Sequence, residues 1–204
     1  DLNTQGVGSG GVTLNVISGN PQSAPLGGYV VGGVGSLVLT TTNFADQVTL
    51  QGNGNSVTAF TSQTAGLLTD AIFKLIGADY ITITGFTMLE DPANSTTTAA
   101  SNNMTEWAVA LLHVSISDGC QNNTIQNNNI SLKRIYQNSF GIYSNNRHSA
   151  SSVTAANDVT NSTTGPNSFN KVYGNNISDV NYGTVFIGSG APTASNAMDK
   201  GNDI

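Results

Sequence analysis

The sequence predicts an all-β chain wound as a solenoid, and three observations carry that prediction. Charged residues make up 9% of the 204 positions, against roughly 25% in an ordinary soluble domain, so the Glu, Lys and Arg that clothe helices are scarce. Asn, Thr and Ser take their place, giving the uncharged polar faces that suit strands and corners. The third observation is an internal repeat, the signature of stacked units that bury a core between them.

The elements follow in chain order. Gly11-Val12-Thr13-Leu14-Asn15-Val16 reads as a first strand, by alternation of apolar and polar residues. A stretch rich in Thr, Ser, Gly and Asn at 53–70 reads as an insertion. Ala71-Ile72-Phe73-Lys74-Leu75 is the first of four short apolar strands; the others are Ala108-Val109-Ala110-Leu111-Leu112, Gly141-Ile142-Tyr143 and Gly183-Thr184-Val185-Phe186-Ile187. Between them lie corner segments in which one aliphatic residue is followed five positions later by another: Ile83 to Met88, Ile125 to Ile130, Val172 to Ile177. Gly or Asn stands inside each pair, where a sharp bend needs a left-handed backbone. Further insertions are expected at 89–106 and 147–168. The whole of 1–204 reads as one unit. Gly201-Asn202-Asp203-Ile204 repeats the opening of a corner segment, which leads us to expect a piece of a longer solenoid.

Charge narrows the function. Six basic residues stand against twelve acidic ones, a net −6. No basic stripe exists to neutralise phosphates, so neither nucleic acid nor an anionic lipid surface is an expected partner. No apolar run approaches the roughly 20 residues of a membrane-spanning helix, so membrane insertion is not expected. The one cysteine, Cys120, rules out an internal disulfide framework.

The segments Asn123-x-Ile125-x-Asn127-Asn128-x-Ile130 and Asn170-x-Val172-x-Gly174-Asn175-x-Ile177 make the chain resemble the right-handed parallel β-helix repeat family. Gly11 to Val16 and Gly77-Ala78-Asp79-Tyr80-Ile81-Thr82-Ile83-Thr84-Gly85-Phe86 make it look, more narrowly, like β-helix segments of large secreted surface proteins of Bacteroidota. The resemblance implies a right-handed parallel β-helix, an extracellular or cell-surface location, and a non-enzymatic structural or adhesin role. Glycans or other copies of the same protein are the implied partners. The alternative it implies is a β-helix polysaccharide lyase or glycoside hydrolase, with active coils partly outside this chain.

Polysaccharide cleavage wants two carboxylates about 5–10 Å apart. Asp79, Asp118 and Asp179 fall at different registers of the repeat, and Glu90 and Asp91 point to opposite faces if extended, so no catalytic residues are assigned. Asp199-Lys200-Gly201-Asn202-Asp203 offers oxygens for Ca²⁺ but lacks a ligand run of regular spacing, so no cofactor and no metal site is expected. His113 and His148 are isolated. Polar-edged aromatics could stack on sugars, and Trp107, Tyr136 and Tyr143 are the candidate ligand-binding residues, with Tyr173 and Tyr182 of the same type. Asn128 over Asn175 is expected to form a structural ladder. Outward Thr82 and Thr84 raise ice binding, a reading that needs the Thr-x-Thr pair on successive coils; the sequence shows it once.

Overall fold

In the computed structural model the described residues are 1–66, 68–149, 159, 163–188 and 198–204. The chain opens with a single helical turn, α1 (Leu2–Gln5), whose first turn Asp1 caps by accepting from the Asn3 N–H. Strands β1 (Val12–Asn15), β2 (Gln22–Ser23) and β3 (Tyr29–Gly32) follow, then a second short turn, α2 (Val38–Thr41). After it come β4 (Val48–Gln51), β5 (Ser56–Thr58), β6 (Ala71–Ile76), β7 (Ile81–Thr84), β8 (Thr87–Leu89) and β9 (Trp107–His113). The last six are β10 (Thr124–Gln126), β11 (Asn129–Ser131), β12 (Phe140–Ser149), β13 (Lys171–Tyr173), β14 (Asn176–Ser178) and β15 (Tyr182–Ile187).

Among the described residues these strands form three parallel five-stranded sheets, ordered β1-β4-β7-β10-β13, β2-β5-β8-β11-β14 and β3-β6-β9-β12-β15. Every third strand therefore returns to the same sheet, one position further along. That is the arrangement of a parallel β-helix, with each coil contributing one strand to each sheet. We name the sheets A, B and C in that order. The registers match the sequence repeats: Ile125 pairs with Ile83 and Val172, and Ile130 with Met88 and Ile177.

Alternation explains sheet A. Val48, Leu50, Ile81, Ile83, Ile125 and Val172 point into the core, while Thr49, Thr82, Thr124 and Gln126 lie between them on the outer face. Each inward aliphatic contributes about 1.5–3 kcal/mol of burial. The corner from sheet A to sheet B needs one left-handed residue, filled by Gly85 (φ 71°), Asn127 (φ 53°) and Gly174 (φ 65°) on three successive coils.

Sheet C differs at β6 and β9, where both faces are covered. All of β6 and β9 is buried, and a second apolar cluster of Ala71, Trp107, Ala110, Leu112 and Tyr143 lies apart from the main core. Such strands read as continuous apolar runs, as the sequence does here. β5 lies inside the stretch expected to be an insertion at 53–70, and β12 runs into the one expected at 147–168. Much of that third insertion lies outside the described residues.

Candidate functional site

Asparagine ladders brace two corners of the stack. At the A–B corner Asn128 accepts the Phe86 N–H at 3.0 Å and donates to the Ile83 carbonyl at 3.1 Å and to Asn175 Oδ1 at 3.0 Å. Asn175 repeats the pattern one coil on, accepting the Asn128 N–H at 3.1 Å and donating to the Ile125 carbonyl at 2.8 Å. A second ladder precedes sheet A. Asn123 accepts from the Ile81 N–H, Asn170 accepts from the Asn123 N–H, and Asn202 accepts from the Asn170 N–H. Asn202 and Asp203, whose oxygens could have served a Ca²⁺ loop, thus make coil-to-coil contacts, and Asp203 bridges in parallel to Lys171. Asp199 accepts from Asn146 instead.

The three aromatic residues expected to face a sugar are buried. Trp107 is 2% exposed, Tyr136 2% and Tyr143 5%. Trp107 and Tyr143 stack on each other with centroids 4.9 Å apart and planes 8° from parallel, on adjacent strands of sheet C. Tyr136 donates its hydroxyl to Glu106 Oε1 at 2.8 Å. His148 also lies against the Trp107 and Tyr143 rings, so the outer face of sheet C is packed here and alternation no longer separates core from solvent. Tyr173 and Tyr182 are half exposed, and Tyr182 stacks on Phe140.

Glu106 opens a cluster that spacing did not reveal. Asp70 and Glu106 each stand immediately before a sheet C strand, where β6 and β9 pair from Ala71 and Trp107 onward. Glu106 Oε2 accepts the Asp70 N–H at 2.9 Å, and Asp70 Oδ2 accepts the Thr64 N–H at 2.8 Å. Glu90 accepts from the Thr105 hydroxyl and the Asn94 amide, both at 2.8 Å, and from the Thr105 N–H at 2.9 Å. Lys74 is buried nearby. Burial, reinforced by Asp70, pushes the Glu106 carboxyl up to about 8. Burial also raises Asp70 and lowers Lys74, and each opposes the other's shift by attraction. The signal available in sequence was position: both acids end insertions and directly precede apolar strands.

Asp79 carries a further raised carboxyl. It is pushed up to about 7, by burial first and by Asp118 among the lesser causes, while it accepts the Gln121 N–H at 2.6 Å. Cys120 beside it is fully buried, its thiol directed at the Leu75 and Leu112 carbonyls at 3.3 Å. His113 is buried at the end of β9; His148 lies against Tyr143, with Nδ1 2.8 Å from the phenol oxygen. Among the described residues no group of three or more His, Cys, Asp or Glu is placed to hold a metal ion.

The outer face of sheet A is open. Pairing aligns Thr13, Thr49, Thr82, Thr124 and Lys171 in one column, and Asn15, Gln51, Thr84, Gln126 and Tyr173 in the next. Beside the first column runs a trough. One part, of about 370 Å³, is lined by Thr13, Phe44, Gln47 and Thr49 among others. The next, of about 190 Å³, is lined by Phe44, Gln47, Tyr80, Asn122, Thr124, Phe169 and Lys171. Against known proteins, no family model, no curated protein and no solved structure matches the chain.

Proposed function

We propose that this chain is a non-enzymatic scaffold or adhesin of the right-handed parallel β-helix type, working outside the cell and meeting glycans. Right-handedness is supported by the general preference of parallel crossovers. The observation that carries the non-enzymatic reading is the bonding of the acids. Both oxygens of Glu90 and both oxygens of Glu106 accept hydrogen bonds from the protein's own groups, and both residues are buried. Carboxylates held this way brace loops; they are not directed at a substrate. Low charge and continuous coil-to-coil backbone pairing suit a stiff external rod.

The test is release of reducing ends and unsaturated products from a polysaccharide panel, with and without Ca²⁺. No turnover beside active control enzymes is the expected result. Steady turnover overturns the reading.

A second reading, a polysaccharide-degrading enzyme, is favoured by one observation: a carboxyl raised to about 8 beside another acid is a proton donor at neutral pH. In that case Glu106→Gln abolishes the turnover.

A further inference from the structure

We propose that the trough on the outer face of sheet A binds a neutral oligosaccharide chain, with Tyr80, Phe169 and Phe44 as its stacking wall and the Thr49 and Thr124 hydroxyls, with Thr82 paired between them, as its hydrogen-bonding floor. The inference rests on the non-catalytic reading and adds a ligand class and a site to it.

The backbone makes the aromatic wall conspicuous. Tyr80, Asn122, Phe169 and Gly201 occupy the same place on successive coils, one residue before Ile81, Asn123, Asn170 and Asn202 of the ladder. All four are left-handed, with φ between 57° and 61°. Asn and Gly are the residues that conformation favours, and two coils use them. Tyr and Phe are disfavoured there, and burial does not explain them. Phe169 is 47% exposed, and Tyr80 is only partly covered. Large rings held open at a strained position mark a use beyond folding. Phe44, in the loop after α2, is 81% exposed and lines both parts of the trough. The inner side of Phe169 rests on Gly201, where a Cβ would stand 2.6 Å from the ring.

The rest of the lining sets the ligand class. The floor offers hydroxyls at the ~4.8 Å strand spacing, each able to donate and accept. Gln47 and Asn122 supply amides at the wall. Among the described residues Lys171 is the one charged side chain lining the trough, and Asp203 bridges to its strand position from the adjoining coil. Apolar ring faces beside uncharged donors and acceptors match a sugar chain without carboxylates. An ice surface fits less well: the second column carries Asn15, Gln51 and Gln126, and Phe44 stands proud of the sheet.

The experiment is affinity electrophoresis followed by calorimetry on soluble hydroxyethylcellulose, galactomannan and xyloglucan, with polygalacturonate as the charged comparison. Wild type is expected to bind at least one neutral glycan. Tyr80→Asn and Phe169→Asn should each weaken binding about tenfold, as for an aromatic contact at a binding hot spot. Both variants place at the site the residue Asn122 already represents, so thermal stability should hold or rise. Loss of binding with stability retained supports the site. Failure of wild type to bind any neutral glycan overturns it, as does unchanged binding by the double variant or preference for polygalacturonate. Thermal hysteresis without glycan binding overturns it in favour of ice. Reducing ends released in the same samples, with binding still lost in the variants, would support the trough and overturn only the non-catalytic reading.

Discussion

Replacing Asn128 by Ala removes a side chain that spans three coils at the A–B corner. It deletes an acceptor for the Phe86 N–H and a donor shared by the Ile83 carbonyl and Asn175 Oδ1. Asn128 is 1% exposed, so water does not replace these partners in place. The Asn175 oxygen keeps the Asn128 N–H, and so loses one of two bonds. The Phe86 N–H has no such reserve, and an orphaned buried donor costs about 1–3 kcal/mol. With the two lost donor bonds at about 0.5–1 kcal/mol each, the expected loss is about 3 kcal/mol, a large fraction of a typical domain's 5–15 kcal/mol. Urea unfolding followed by circular dichroism measures it. Asn175→Ala should cost less, because Asn175 is only half-buried and water can reach the broken bonds. Coupling between the two sites in a double-mutant cycle should be about 1 kcal/mol. A loss below about 1 kcal/mol for Asn128→Ala, with no coupling, would refute the ladder as a source of stability.

Two further outcomes follow from the buried groups. The Glu106 carboxyl sits at about 8 in the folded chain against an ordinary 4.5, so between those values the folded state keeps a proton that the unfolded state has released. Stability should therefore fall as pH rises through that window, at up to about 1.4 kcal/mol per pH unit. Asp79, raised to about 7, acts in the same direction over its own range. Glu106→Gln keeps the shape and removes the charge, so it should flatten the profile and be more stable than wild type at pH 9; parallel profiles would contradict this. The Cys120 thiol, raised by burial, should react with an aromatic disulfide reagent only as the protein opens, and native-state modification at the denatured-state rate would contradict its placement.

Much of the fold was legible because the solenoid repeats its own grammar. The pairs Ile83–Met88, Ile125–Ile130 and Val172–Ile177 set inward residues and a left-handed corner, and the registers reproduce them. The first two coils were harder. β2 is two residues long and β5 three, too short for alternation to rise above a Ser- and Thr-rich background. The turn α2 has no helical composition; Thr41 and Thr42 hold it by returning their hydroxyls to the Leu37 and Val38 carbonyls.

The functional residues divide along a different line. Strand alternation says which side a residue takes, but not whether that side meets water. Trp107, Tyr136 and Tyr143 carry the chemistry of a sugar platform, yet all three are buried, Trp107 and Tyr143 against each other and His148, and burial of an outer face has no period to read. Tyr80 and Phe169 lie on the opposite side of that ambiguity. Their left-handed backbone is fixed by the coil, as Asn122 and Gly201 at equivalent places demonstrate. Once the register is known, an aromatic residue where Asn or Gly would do is a departure that neither packing nor conformation requires. In a solenoid, then, the informative comparison is between equivalent positions of successive coils. A residue that fits its column is explained by the fold, and one that defies both its column's conformation and its burial is where recognition should be sought.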